Sequence, residues 1–442
     1  MNAVDEGYMT VRDRHRTVVR RAHHVTMDVE AVDPDIVIER FARSSRPMRI
    51  SVVTETWPPE VNGVATTLAR MVGGLHDRGH DIRLIRPRQD ADGAGNGGGR
   101  DGFGEMLTHG LPIPRYPHLK LGIPARRKLS RLWSVQRPDI VHIATEGPLG
   151  WSALRAATRL KLPVATDFRT NFHTYSDHYG VGWLRAPIAS YLRTFHNSAG
   201  CTLVPTEALR SELEALGFRR VRVVSRGVDR LLFRPERRSD ALRATWGIGP
   251  ADLVVACVGR LAPEKNLATV ELAFEAIRSV RPDARLLLVG DGPLRASLQA
   301  RMPDALIVGQ RSGEDLAAHY ASADLFLFAS LTETFGNVTT EAMASGLPVV
   351  AFDYAAAAQL MRHDVCGALV PCGDSAAFVA TARDLALDAD RRRRLSAAAR
   401  AVSESLGWDA VVGRFEQALS TVIAEAGHAP ADAAFAPQLP IA

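Results

Sequence analysis

Residues 48–54, Met48-Arg49-Ile50-Ser51-Val52-Val53-Thr54, are a short apolar run that stops at a loop, Thr56-Trp57-Pro58-Pro59-Glu60-Val61-Asn62-Gly63. Leu68, Met71, Val72 and Leu75 then follow at the i, i+3, i+4, i+7 spacing of an amphipathic helix. Gly79 ends that pattern, and Asp81-Ile82-Arg83-Leu84-Ile85 opens another apolar run. Strand, loop, helix, strand is the unit that builds parallel sheets through right-handed crossovers. Buried-strand runs recur at 139–143, 162–166 and 201–205, and a second series appears at 253–258, 285–289, 324–328 and 347–351. The pattern predicts an α/β chain of two Rossmann-like doubly wound domains, 48–228 and 251–406, joined by a linker over 229–250. Residues 1–47 read as a polar, arginine-rich extension, 407–425 as a last helix, 426–442 as a flexible tail, and glycine-dense 90–105 as a mobile surface loop. Ligands of such sheets sit beyond the carboxyl ends of strands, so the loops there are where chemistry is sought.

A length of 442 residues suits two or three domains. Apolar residues at 46% and charged residues at 23% exclude wholesale disorder, collagen repeats and a small disulfide scaffold. The net charge of +5 is spread along the chain rather than gathered in a stripe, which argues against a nucleic-acid partner. Cys201, Cys257, Cys366 and Cys372 form no CxxC and have no nearby histidine at ligand spacing, so no zinc site is expected. Their pattern fits a reducing compartment. No run approaches 18 apolar residues and the N-terminus has no apolar signal core, so a cytoplasmic protein is expected.

Neither a GxGxxG turn after the first strand nor a Walker A loop occurs, and no Asp-x-Asp pair follows a buried strand. Fixed cations must therefore meet any bound phosphate. Val258-Gly259-Arg260-Leu261-Ala262-Pro263-Glu264-Lys265-Asn266 sends Arg260 into a loop at a strand's carboxyl end and returns Lys265 just before a helix. Lys265 is one of only four lysines among 54 cations, which singles it out. A second stretch, Thr332-Glu333-Thr334-Phe335-Gly336-Asn337-Val338-Thr339-Thr340-Glu341, sets Glu333 in the loop after a strand and begins a helix near Phe335 or Gly336. The unpaired amides of a helix start attract anions. Glu341, one to two turns on, can accept from sugar hydroxyls.

These segments resemble the retaining glycosyltransferases of family 4, which have the GT-B fold of two Rossmann-like domains facing each other across a cleft. They are similar in particular to the GDP-mannose-dependent α-mannosyltransferases and the sulfoquinovosyl-diacylglycerol synthases. The resemblance covers residues 48–425 and includes Asn62-Gly63, Gly227-Val228-Asp229 and Trp408-Asp409. It implies a hexosyltransferase moving a sugar, mannose from GDP-mannose in first place, onto a lipid or glycan hydroxyl by front-face attack, with no metal or other cofactor. Gly63, in the acceptor-side domain, would approach the donor diphosphate. Arg260 and Lys265 would bind that diphosphate and stabilise the leaving nucleotide. Glu333 would hold the transferred sugar with amides of Phe335, Gly336, Asn337 and Val338, Glu341 the ribose, and Gln310 and Arg311 the base. The last helix would cross back to the first domain.

The family histidine after the fourth strand is missing: Asp167-Phe168-Arg169-Thr170-Asn171-Phe172-His173 puts Arg169 at its position and His173 four residues later, and either could serve. A nucleotide-sugar 2-epimerase and an inactive nucleotide-sugar-binding scaffold are the alternatives on the same fold. Arg126, Arg127, Lys128, Arg131 and Trp133 mix cations with apolar residues, a pattern open to two readings: one helix with a solvated face, or peripheral contact with anionic lipid at the inner face of the membrane.

Overall fold

The computed structural model describes residues 29–33, 36–39, 46–60, 62–90, 92, 102–113, 116–169, 185–249 and 251–428. The chain divides into two units, Met1–Arg46 and Pro47–Ala442. In the first, β1 (Val29–Asp33) pairs antiparallel with β2 (Ile36–Glu39).

The second unit has two lobes. Its first carries β3 (Arg49–Val53), β4 (Asp81–Pro87), β5 (Gly104–Thr108), an antiparallel hairpin of β6 (Gly110–Ile113) and β7 (Tyr116–Gly122), then β8 (Ile140–Ile143), β9 (Val164–Asp167), β10 (Cys201–Val204) and β11 (Val221–Val223). The helices between them are α1 (Gly63–Asp77), α2 (Arg126–Val135), α3 (Pro148–Arg159), α4 (Arg185–Asn197) and α5 (Glu207–Ala215). The second lobe carries β12 (Val254–Val258), β13 (Arg285–Val289), β14 (Leu306–Gly309), β15 (Leu325–Phe328), β16 (Val349–Phe352) and β17 (Ala368–Val370). Its helices are α6 (Asp240–Thr245), α7 (Leu267–Val280), α8 (Arg295–Arg301), α9 (Gly313–Ala321), α10 (Asn337–Ala344), α11 (Ala355–Leu360), α12 (Ser375–Leu387) and α13 (Ala389–Glu404), with α14 (Trp408–His428) last.

Among the described residues the sheets run β11-β10-β9-β8-β3-β4-β5 and β14-β13-β12-β15-β16-β17, every pairing parallel. Counted from each lobe's own first sheet strand, both follow the order 3-2-1-4-5-6, with one strand added to the first sheet. The winding reverses between β3 and β8 and between β12 and β15, which opens a crevice at the carboxyl ends there. The run Val254–Val258 is apolar throughout because helices cover both faces of the sheet, and all five residues are buried.

The α1 helix starts where Asn62 accepts from the Ala65 amide at 2.8 Å, a cap worth about 1 kcal/mol. Its buried face is Leu68, Met71, Val72 and Leu75, the periodic set. On that face lies α14, which leaves the second lobe: Val411, Val412, Phe415, Leu419 and Val422 join Ile50, Val52, Leu68 and Leu75 in one cluster. Gly74 admits the contact, since a Cβ there would stand 2.5 Å from Val412 Cγ2. Arg78 and Glu416, both nearly buried, pair at 3.0 Å across the same junction.

The basic stretch at Arg126 differs from its expected orientation. Arg126, Arg127, Lys128 and Arg131 are exposed on α2, but Trp133 is 1% exposed and donates to Ser51 Oγ at 3.0 Å. An indole in the first lobe's core cannot meet a membrane, so Trp133 is removed from that surface.

Candidate active site

A cleft of about 840 Å³ is lined from the first lobe by Asn62, Gly63 and Gly227, from the linker by Asp229, and from the second lobe by residues following β12, β13 and β14. Gly63, Arg260, Lys265, Gln310, Arg311, Asn337, Val338 and Glu341 all line it.

The strand β12 delivers Arg260, partly exposed, with Nη1 3.6 Å from the buried Glu264 carboxylate. Lys265 ends the same loop and pairs with Glu333, which also accepts from Ser330 Oγ at 2.8 Å. Glu333 thus reaches the cleft through Lys265. The helix α10 begins one or two residues later than the sequence suggests. Gly336, its N-cap, has φ +93°, a left-handed conformation that favours glycine, and no side chain caps the helix start. Phe335 precedes it with its ring wholly buried. Glu341, in the second turn of α10, accepts from the buried Tyr320 hydroxyl at 2.9 Å. Burial pushes its carboxyl up to about 7, against the lowering effect of that hydrogen bond. After β14, Arg311 is tied back to the Val308 carbonyl at 2.8 Å and to Asp315 at 3.2 Å, with Gln310 beside it.

Arg169 stands apart from this group. The residue is 8% exposed, its guanidinium is held by Asp167 and, at 3.1 Å, by Met71 Sδ, and it does not line the cleft. Burial alone would raise the Asp167 carboxyl, but Arg169 and His142 hold it down to about 2. Arg169 follows β9 directly, so its side chain folds back onto that buried aspartate. Across to the other lobe, its backbone carbonyl accepts from Thr334 Oγ1 at 3.1 Å. His173 lies outside the described residues.

Residues 61–230 match the family described as Glycosyltransferase Family 4, and residues 252–388 match Glycosyl transferases group 1. A GDP-mannose-dependent alpha-mannosyltransferase of Corynebacterium glutamicum is 34% identical, the alignment covering 87% of this chain and 92% of that one. The chain belongs to glycosyltransferase family 4. A sulfoquinovosyl transferase of Arabidopsis thaliana is similar to this glycosyltransferase at 29% identity over 89% of the chain and 76% of its own length. The sucrose-phosphate synthase of Thermosynechococcus elongatus superposes with a TM-score of 0.69, covering 85% of this chain and 99% of its own, at 19% identity, a likeness of fold. The two-lobed GT-B architecture and membership among the sugar-transferring enzymes follow.

Some residues at this glycosyltransferase's strand ends escape sequence reasoning. Arg226 sits between the lobes and bonds to Thr334 and Asn337. In the first lobe, Glu55 and Glu146 follow β3 and β8, the pair at which that sheet reverses. Glu55 accepts from the Leu149 amide at 2.9 Å, and burial, with Glu146 nearby, raises its carboxyl to about 7 despite that bond. Glu146 Oε1 stands 3.4 Å from His196 Nε2. A glutamate after a strand carries no sequence signal until the partner strand is known.

Proposed function

We propose that this enzyme transfers mannose from GDP-mannose to a hydroxyl of a lipid or glycan acceptor, with retention and without a resident metal. The observation that carries the reading is the convergence, on one cleft wall, of Arg260, Lys265 and the uncapped start of α10, with Glu341 deeper along the same helix. Two side-chain cations and a helix end suit a diphosphate, and a carboxylate one helical turn beyond suits the ribose hydroxyls. Mannose is favoured over other sugars by the relatives named as GDP-mannose-dependent alpha-mannosyltransferases, at 33 to 35% identity.

In this mechanism the bond from the sugar's anomeric carbon to the phosphate oxygen breaks while the acceptor oxygen bonds to that carbon from the same face. The acceptor's proton passes to the departing phosphate. Arg260 and Lys265 take up charge on the leaving group, Glu333 orients sugar hydroxyls, Gly63 leaves room for the diphosphate, and Gln310 with Arg311 borders the base. Positioning and exclusion of water between two lobes supply the rest.

For a lipid acceptor, the first lobe would rest on the anionic inner face of the membrane. Exposed Arg126, Arg127, Lys128 and Arg131 supply the charge, and the exposed cross-strand pair Leu111 and Leu121, with Ile123, supplies the apolar surface in place of Trp133. Replacing Arg126, Arg127 and Lys128 by Ser should reduce co-sedimentation with anionic liposomes, and equal binding would end the idea. Turnover is tested by incubating the protein with GDP-mannose, UDP-glucose and ADP-glucose and following nucleotide release with and without glycolipid or glycan acceptors. Acceptor-dependent release of GDP supports the reading. Acceptor-independent conversion of the sugar, or no turnover of any donor, overturns it.

A further inference from the structure

Arg226 is 6% exposed, yet its guanidinium meets only neutral acceptors: Thr334 Oγ1 at 3.2 Å and Asn337 Oδ1 at 3.3 Å. Its Nε has no hydrogen-bond partner. Among the described residues no carboxylate forms an ion pair with it. Glu333 and Asp167 act on it through space, but each already pairs with another cation, Lys265 and Arg169 respectively. Burial, then repulsion from Arg169, pushes this guanidinium down to about 9. Its carbon lies 5.7 Å from the Phe335 ring centroid, a contact that fixes the plane without neutralising the charge. A buried cation left in this state is costly unless something else compensates it.

The surroundings show what would. A Cβ added to Gly63 would lie 3.8 Å from Arg226 Nη1 and 3.8 Å from Asn337 Nδ2. Gly63 is the first residue of α1 and Asn337 the first of α10, so two helix starts from opposite lobes meet at this guanidinium. Each helix start carries about half an elementary charge, which brings the local excess to about +2. Gly63 and Asn337 both line the cleft, and Arg226, which does not, stands behind them. A diphosphate is the matching ligand.

We infer that Arg226 supplies a further positive charge to the donor's diphosphate from the first lobe, acting from behind the wall that Gly63 and Asn337 form, and that the diphosphate's charge holds the lobes together around it. This rests on the donor reading above. Arg260 and Lys265 bind the same group from the second lobe, so Arg226 makes closure depend on the number of negative charges bound.

The test measures binding of GDP, UDP, ADP, GMP and guanosine by calorimetry to the full chain and to Arg226→Met and Arg226→Lys, together with ligand-free melting temperatures. The Met variant should lose about 10- to 100-fold in affinity for the preferred diphosphate. Its affinity for the matching nucleoside should be unchanged, and the Lys variant should recover part of the loss. The ligand-free melting temperature of the Met variant should equal or exceed that of the wild type, because an uncompensated charge is gone. Diphosphate and nucleoside affinities falling together, with a lowered melting temperature in both variants, would mark a structural tie and overturn the proposal, as would unchanged diphosphate binding in Arg226→Met. A wild-type chain that binds none of the three diphosphates would sink the donor reading itself.

Discussion

The hydroxyl of Tyr320, on a fully buried side chain, donates to Glu341 at 2.9 Å, so the carboxylate at the inner end of the cleft is held by one neutral donor. Burial sets its carboxyl at about 7 rather than the ordinary 4.5. In the proposed donor complex the ribose hydroxyls would donate to the ionised form. Nucleoside diphosphate affinity should therefore fall as pH drops below about 7, by up to about tenfold per unit for one linked proton. The folding contribution has the opposite sense: with the folded value raised, stabilisation is complete below about 4.5 and is lost as pH rises through about 7. Glu341→Gln should flatten both dependences. Calorimetric titration and denaturant melts from pH 5.5 to 8.5 check them, and an unchanged slope in the variant would refute the assignment.

Arg260 and Lys265 share one loop but differ in their surroundings. Arg260 is partly exposed, whereas Lys265 is held by Glu333 and lies 5.8 Å from the Phe328 ring centroid. By comparison with losing a fixed donor to a developing anion, Ala at either position should cost about 10²–10³ in turnover. Lys265→Ala also releases Glu333 and should raise the donor KM more than Arg260→Ala does. Single-turnover rates and donor KM values for the two variants decide this.

Gly63 separates binding from folding. In the ligand-free protein a methyl group there would make only ordinary contacts, at 3.8 Å, and Ala suits a helix better than Gly. Gly63→Ala should melt at or slightly above the wild-type temperature. It should nevertheless bind nucleoside diphosphate at least about tenfold more weakly, since in the proposed complex the added methyl would occupy the space of the phosphates. Thermal melts with and without nucleotide measure both effects in one sample.

Breaking the Arg78–Glu416 pair should be costly, because both partners are nearly buried and each would keep only its second contact, Asp409 for Arg78 and His80 for Glu416. Arg78→Ala should lose up to about 3 kcal/mol in denaturant unfolding, the lower end for a broken buried pair because Glu416 keeps a neighbour. His80 Nε2, 3.1 Å from the other Glu416 oxygen, remains to hold the carboxylate. Replacing Glu416 by Gln removes the charge from both contacts and should cost a comparable amount. Replacing the exposed Asp409, which also meets Arg78 Nη2, should change little.

The two sheets were legible because parallel strands covered on both faces must be apolar throughout, as 254–258 and 325–328 are. The cleft residues Arg260, Lys265 and Glu341 could be read because strand-end loops keep them close in sequence to the strands and helices that hold them. Arg226 could not. It is one of many arginines, and its meaning comes from Thr334 and Asn337, more than a hundred residues away. Trp133 shows a different limit: a basic stretch with a tryptophan has the same pattern whether the indole faces lipid or, as here, Ser51 inside the lobe. Arg169 shows a third, because its position after β9 was readable while its turn onto Asp167 depended on that carboxylate being buried.

The last helix has a consequence for how the protein is made. Val411, Val412, Phe415, Leu419 and Val422 complete a core whose other members begin near residue 48. The first lobe is therefore translated early but finished last, after the whole second lobe has left the ribosome. At about 5–20 residues per second that wait lasts on the order of tens of seconds, during which the apolar face of α1 stays uncovered. Truncations that spare every cleft residue but remove this segment should yield insoluble chains, and a nascent chain stalled before it should be the one that chaperones hold.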